Sequence, residues 1–306
     1  MNFAHIHVVL NHIPSLGTAL GAILFIASLI KKDDTLKKIS LQVFVLMALA
    51  TLPTYMTGNA SQGILRRRTE IPQGLIELHQ NAAMTSLILM TILGTFSWFG
   101  LWQFRRFSRP GSANTYAVLI FSILTSTAIL RTANLGGDIS HPEIRAGEVT
   151  VTKDIGWREP VEFFSNDHAW VWPAAETIHF VGMSLLFGMT LVLILRMLGM
   201  MKSIPFSALH RLLPLGILGF VMNVVSGMVF FIASPGMYVN NAGFAAKIVF
   251  ILLAGLCVIY FTLFEEPWTV GPDSDAPLRA KIVAVCFMAS LLGVMYFGRM
   301  LPFLRH

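Results

Sequence analysis

Eight apolar runs, each about long enough to cross a lipid bilayer, constrain this chain more than any other feature. A helix crosses a hydrocarbon core of roughly 30 Å with about 20 mostly apolar residues. The runs lie at about 10–30, 39–57, 79–103, 114–135, 173–197, 210–233, 244–265 and 279–299. Composition points the same way: 55% of residues are apolar, only 12% are charged, and mean hydropathy is +0.69. That charged share is about half of what a soluble domain carries. The expected fold class is all-α, a polytopic membrane protein of about eight transmembrane helices in two four-helix bundles. No run combines the basic start, short apolar core and small-residue cleavage site of a signal peptide, so the first helix is expected to persist.

Polar punctuation divides the chain. Residues 1–137 form the expected first bundle, 138–172 a connecting segment on the outer face, and 173–306 the second bundle. Lys and Arg are close to evenly shared between the two faces. One face carries Lys31, Lys32, Lys37, Lys38, Arg105, Arg106, Arg109, Arg196, Lys202, Arg211, Arg279 and Lys281. Several cations of the other face sit in or beside the long segment 136–172, where the positive-inside rule is weak. The first set is therefore placed in the cytoplasm, with both termini periplasmic and the chain multi-pass in a bacterial inner membrane. The net charge of +6 is scattered over loops on both faces, which excludes a nucleic-acid surface. Cys257 and Cys286 lie inside apolar runs without Cys-x-x-Cys or Cys-x-x-Cys-His spacing, so covalent c-type haem and iron–sulfur ligation are excluded. Both are expected to be buried thiols acting as small apolar residues.

Seven of the nine histidines, His5, His7, His12, His79, His141, His168 and His179, fall on one face by this count. His12 opens the first span and His79 the third, at matched depth. Imidazoles within the bilayer are costly and point to function. Two of them facing each other across a bundle are the ligand set of a six-coordinate b-type haem. Gly17 and Gly21 below His12 offer either room for a porphyrin or plain helix packing. His5 shares a helical face with His12, seven residues away, and would serve a second site with His141 or His168; His7 points elsewhere. Arg131 is a further candidate for cofactor contact.

In the second half His179 is the candidate ligand, with Lys247 at its depth to meet a haem propionate or a quinone carbonyl, or to snorkel to the interface. Glu176, one turn before His179, is placed to orient its ring. His210 lies at the opposite face, too far to share an iron.

The first half carries His5-Ile6-His7 through Asn11-His12-Ile13-Pro14, Thr57-Gly58, Glu77-Leu78-His79-Gln80-Asn81-Ala82-Ala83 and Leu135-Gly136-Gly137-Asp138. It resembles a bacterial four-helix membrane domain of unknown function found beside Rieske or cytochrome c modules, which implies a haem-bearing electron-transfer role. The second half carries Trp172-Pro173, Ile178-His179-Phe180, Leu195-Arg196-Met197-Leu198-Gly199, Ser226-Gly227 and Phe244-Ala245-Ala246-Lys247. It resembles another poorly characterised four-helix membrane family, distantly like copper-resistance membrane proteins.

The function expected is that of a b-type cytochrome-like electron-transfer subunit. It would carry one haem b and room for a second, link a periplasmic cytochrome c or Rieske protein with quinone, and belong to a multi-subunit complex rather than act as a stand-alone enzyme. Two alternatives are a copper or other metal transport protein, suggested by 16 methionines including Met197, Met200 and Met201, and a cofactor-free assembly subunit. No nucleophile-and-base pair, phosphate loop or paired intramembrane carboxylate is evident.

Overall fold

The computed structural model of the protein describes residues 3–65, 71–141, 163, 168–234, 237–238 and 241–301. Those residues fold into helices and short connections, with no strand among them. The helices are α1 (Phe3–Leu10), α2 (His12–Lys31), α3 (Asp34–Leu65), α4 (Gln73–Phe107), α5 (Ser112–Ser140), α6 (Val171–Met197), α7 (Phe206–Ala233), α8 (Ala242–Leu263) and α9 (Leu278–Met300). With α1 and α2 counted as one span, eight helices among the described residues are long and apolar enough to cross a membrane. All eight coincide with the runs read from the sequence, and each extends a few residues beyond at one or both ends, since the polar flanks continue the helix. The chain divides into two compact units, Met1–Pro160 and Val161–His306. Most of the connecting segment 138–172 lies outside the described residues.

In the first unit α2 packs on α3, α3 on α4, α4 on α5, and α5 closes back on α2. A seven-residue pattern sets the inward face of α2: Pro14, Thr18, Gly21, Phe25 and Ser28 are its buried positions. Their alternating spacings of four and three are the seam of a bundle with small crossing angles. Gly17 and Gly21 serve that seam rather than a ligand. Gly17 meets the Met47 side chain, and a Cβ on Gly21 would stand 2.7 Å from the Phe44 ring. Phe44 in turn packs against Phe25 at a centroid separation of 6.3 Å.

The break between α1 and α2 has a local cause. Pro14 has no N–H to offer the Leu10 carbonyl, so the helical ladder lapses there. Asn11 nevertheless keeps right-handed helical torsions (φ −63°, ψ −24°), and its N–H reaches the His7 carbonyl at 2.9 Å. The helical phase therefore passes through the break nearly unchanged.

In the second unit α6 packs on α7, α8 on α9, and α9 returns to α6. At the end farthest from His179 lies Arg196, fully buried at 0% exposure. Its Nε donates to the Ile204 carbonyl at 2.7 Å, and its terminal nitrogens donate to the carbonyls of Ser274 (3.2 Å each) and Gly271 (3.4 Å). The guanidinium also lies 4.1 Å from the Phe206 ring centre. Only a planar, five-donor cation meets three carbonyls from two loops at once. Nearby, Lys202 is 2.9 Å from Asp275, and this hydrogen bond holds the exposed carboxyl below the usual carboxylate range. The cysteines differ from expectation in one respect: Cys257 is buried but Cys286 is exposed, because α9 turns only one side to its neighbours.

Replacing Arg196 with Leu keeps the apolar bulk and strands the carbonyls of Ile204, Gly271 and Ser274. Each orphaned buried acceptor costs about 1–3 kcal/mol. Arg196→Leu is therefore expected to lower the thermal midpoint of the detergent-solubilised protein by ten degrees or so, whereas Lys202→Leu moves it little. Equal effects would show that the loop clamp is not centred on Arg196.

Candidate functional site

His7 and His79 are held in the same way. The Nδ1 of His7 lies 2.9 Å from the Thr54 carbonyl oxygen of α3, with the Thr57 hydroxyl 3.4 Å from the same nitrogen. The Nδ1 of His79 lies 3.0 Å from the Thr132 carbonyl oxygen of α5. A carbonyl only accepts, so each Nδ1 carries the proton and donates it. In a neutral imidazole this leaves Nε2 bare, with a lone pair and no proton.

Each acceptor threonine is followed four residues later by a glycine that admits the ring. A Cβ on Gly58 would stand 2.8 Å from Cε1 of His7, and one on Gly136 would stand 3.2 Å from Cε1 of His79. The reason lies in helix geometry. A backbone carbonyl points along the axis toward residue i+4, whose N–H takes one lone pair. A donor that reaches the second lone pair must pass over residue i+4, and only glycine leaves the space. Thr54-Tyr55-Met56-Thr57-Gly58 and Thr132-Ala133-Asn134-Leu135-Gly136 are thus two copies of one receptor for an imidazole. His7 and His79 are also close enough for a charge on one to act on the other.

Polar side chains gather around this pair. Ser86 of α4 and Thr132 of α5 join their hydroxyls at 2.9 Å. Buried Asn59 accepts from Gln80 at 3.2 Å and from Gln62 at 3.3 Å, tying α3 to α4 beside the histidines.

The other predicted residues lie elsewhere. His12, expected to face His79 inside the bundle, is exposed, as are His5, Ala19 and Ile26 on the same stripe. The reasoning that put His5 and His12 on one face holds, but that face points outward. The inward seam 14, 18, 21, 25, 28 runs back through Asn11 to His7. That continuation of the heptad is the signal by which His7 could have been found. His141, directly after α5, and Arg131 are both exposed. His168 packs its ring against Phe163 and Trp170 at centroid separations of 5.3 and 6.5 Å. His210 is buried at the far end of its bundle, edge-on to Trp268 at 5.0 Å, and lies in a different unit from the pair.

The second unit repeats the arrangement with different chemistry. His179 Nδ1 is 2.8 Å from the Ser226 hydroxyl oxygen, and that hydroxyl donates to the Met222 carbonyl at 2.6 Å. With its own proton committed, Ser226 accepts from His179 and again leaves Nε2 bare. The third helix of this unit contributes Lys247 where the first unit has His79. The fourth contributes Gly298, whose Cβ would stand 3.5 Å from Lys247 Nζ. His179 and Lys247 interact electrostatically. Glu176, expected to orient His179, instead accepts from the Trp172 indole at 3.1 Å. Met197 is buried in the core while Met200 and Met201 are exposed, so these three do not converge. Among the described residues no group of three or more His, Cys, Asp and Glu side chains could hold a metal ion.

No protein-family model, curated protein or solved structure matches this chain.

The glycine receptors make a testable contrast. In a helix Gly→Ala normally gains about 0.5–1 kcal/mol. At Gly58 the added methyl meets a ring pinned to Thr54, and overpacking costs about 1–3 kcal/mol. Gly58→Ala is expected to lower the melting temperature, whereas Gly137→Ala, with nothing within 4 Å of its Cβ position, leaves it unchanged or slightly higher. Differential scanning fluorimetry of the purified variants decides; stabilisation by Gly58→Ala would contradict the account.

Proposed function

We propose that the first unit is a b-type cytochrome-like electron-transfer module that takes haem b on His7 and His79. The observation that carries this reading is the pair of Nδ1–H donations to backbone carbonyls. Histidines that ligate iron characteristically give their other nitrogen to a carbonyl or carboxylate, which sets the tautomer and ring plane and raises the basicity of the free nitrogen. Both imidazoles meet that requirement, and the donor set fits an iron that takes two nitrogen ligands. When bound, haem supplies a one-electron ferric/ferrous couple. The protein's own part is to hold two neutral imidazoles, keep their lone pairs free, and surround them with apolar helices that exclude water.

On this reading His12, His5 and His141 are not ligands, and Arg131 is not a cofactor contact. The histidine pair sits near the starts of its helices, and this reading puts that end at the periplasmic face of an inner membrane. The electron partner then approaches from that face, as a cytochrome c or Rieske protein would, and the chain serves as a subunit of a larger complex. A single haem at one face does not by itself carry electrons across the bilayer.

The test is a dithionite-reduced minus oxidised absorption spectrum of the purified protein. A bis-histidine haem b gives an α-band near about 560 nm. His7→Ala and His79→Ala are each expected to abolish it, and His12→Ala to leave it intact. Copper in the purified protein with no such band would favour metal handling; neither cofactor would favour an assembly role.

A further inference from the structure

Two polar groups of the second unit, Lys247 and His179, share one end of its bundle. Lys247 of α8 makes no hydrogen bond or ion pair among the described residues, although its side chain is largely withdrawn from the surface. An ammonium in apolar surroundings costs several kcal/mol unless an acceptor meets it. At the same end of the bundle lies His179, near enough for its ring to feel the Lys247 charge; its Nε2 is a bare acceptor because Nδ1–H is spent on Ser226. The four helices contribute one element each: an imidazole, a hydroxyl, an ammonium and, at Gly298, the glycine against which the Lys247 side chain lies. His179 and Lys247 follow the starts of their helices, while Ser226 and Gly298 precede the ends of theirs, so all four share one end of the bundle. Aromatic rings lie beside His179. Phe230 lies 5.7 Å from the His179 ring and 5.0 Å from the Trp172 ring, centroid to centroid.

This pairing selects a chemistry. A carboxylate or phosphate satisfies Lys247 but turns lone pairs toward the lone pair of Nε2. The complement is an apolar ring that offers an oxygen to the ammonium and an O–H to the imidazole. We propose that His179 and Lys247 form a binding site for a hydroquinone dissolved in the bilayer. One ring hydroxyl donates to His179 Nε2, and a ring oxygen accepts from Lys247 Nζ. The oxidised quinone has only carbonyls, leaves Nε2 unmatched, and binds more weakly. This deepens the electron-transfer reading by naming the reduced partner within the membrane, but the binding itself requires no haem.

The full chain in lipid nanodiscs is titrated anaerobically by calorimetry with decylubiquinol and, separately, with decylubiquinone. The quinol is expected to bind about tenfold or more tighter, the cost of one unmatched buried acceptor. Lys247→Met and His179→Phe each weaken quinol binding by about tenfold or more. Ser226→Ala frees Nδ1 to change tautomer and narrows the preference between the two forms. Equal affinity of the wild type for quinol and quinone overturns the proposal without recourse to any variant, as does wild-type quinol binding by folded Lys247→Met. His12→Ala, at an exposed position outside both sites, should leave quinol binding unchanged. A protein without haem that still prefers quinol would sink the cytochrome reading and leave this one standing.

Discussion

An imidazole inside an apolar bundle must place its N–H somewhere, and in this protein a helix backbone takes it. Leaving such a donor unpaired in low dielectric would cost about 1–3 kcal/mol, so a neighbouring helix has to present an acceptor within reach. A helix carbonyl has one lone pair to spare, but the approach crosses the residue four positions on. That single requirement explains Thr54 with Gly58 and Thr132 with Gly136. It also determines what is left over: two nitrogens, each with a lone pair and no proton. The second unit meets the same demand with the Ser226 hydroxyl, and its third helix carries Lys247 in place of the second imidazole.

The architecture and its chemistry are joined by helical phase. The seam that buries Thr18, Gly21, Phe25 and Ser28 against α3 is the same one that delivers Asn11 and His7 to the interior. Pro14 interrupts the hydrogen-bond ladder without rotating that seam, because Asn11 stays helical. A side chain far into the span therefore decides which N-terminal histidine faces inward. At the opposite end of the second unit, Arg196 collects three loop carbonyls under the membrane-spanning core. His7, His79 and Arg196 are thus each matched to backbone acceptors.

Most of the fold was legible in the sequence. Run length and composition are one-dimensional properties, and the eight spans follow from them directly. The proposed site was legible only in part. His79 was singled out by depth, but depth along a helix does not say which way a side chain turns, and His12 shares the depth without the direction. The heptad seam held that information and pointed to His7. The carbonyl receptors of Thr54 and Thr132 were not legible, since a backbone acceptor leaves no mark in residue type, and the glycines that accompany them look like ordinary packing residues. Pairing across helices was equally hidden: Glu176 is one turn from His179, yet it bonds Trp172, and the partner of His179 is Ser226, 47 positions away.

The central claim is that His7 and His79, rather than His12, present their Nε2 atoms to one iron. The most direct measurement is electron paramagnetic resonance of the oxidised protein with methionine placed at each position in turn. Wild type is expected to show a low-spin bis-imidazole signal. His7→Met should convert it to the signal of an imidazole–thioether pair and raise the reduction potential, as a methionine ligand does, while His12→Met leaves both unchanged. A spectrum that responds to His12→Met and ignores His7→Met would contradict the account.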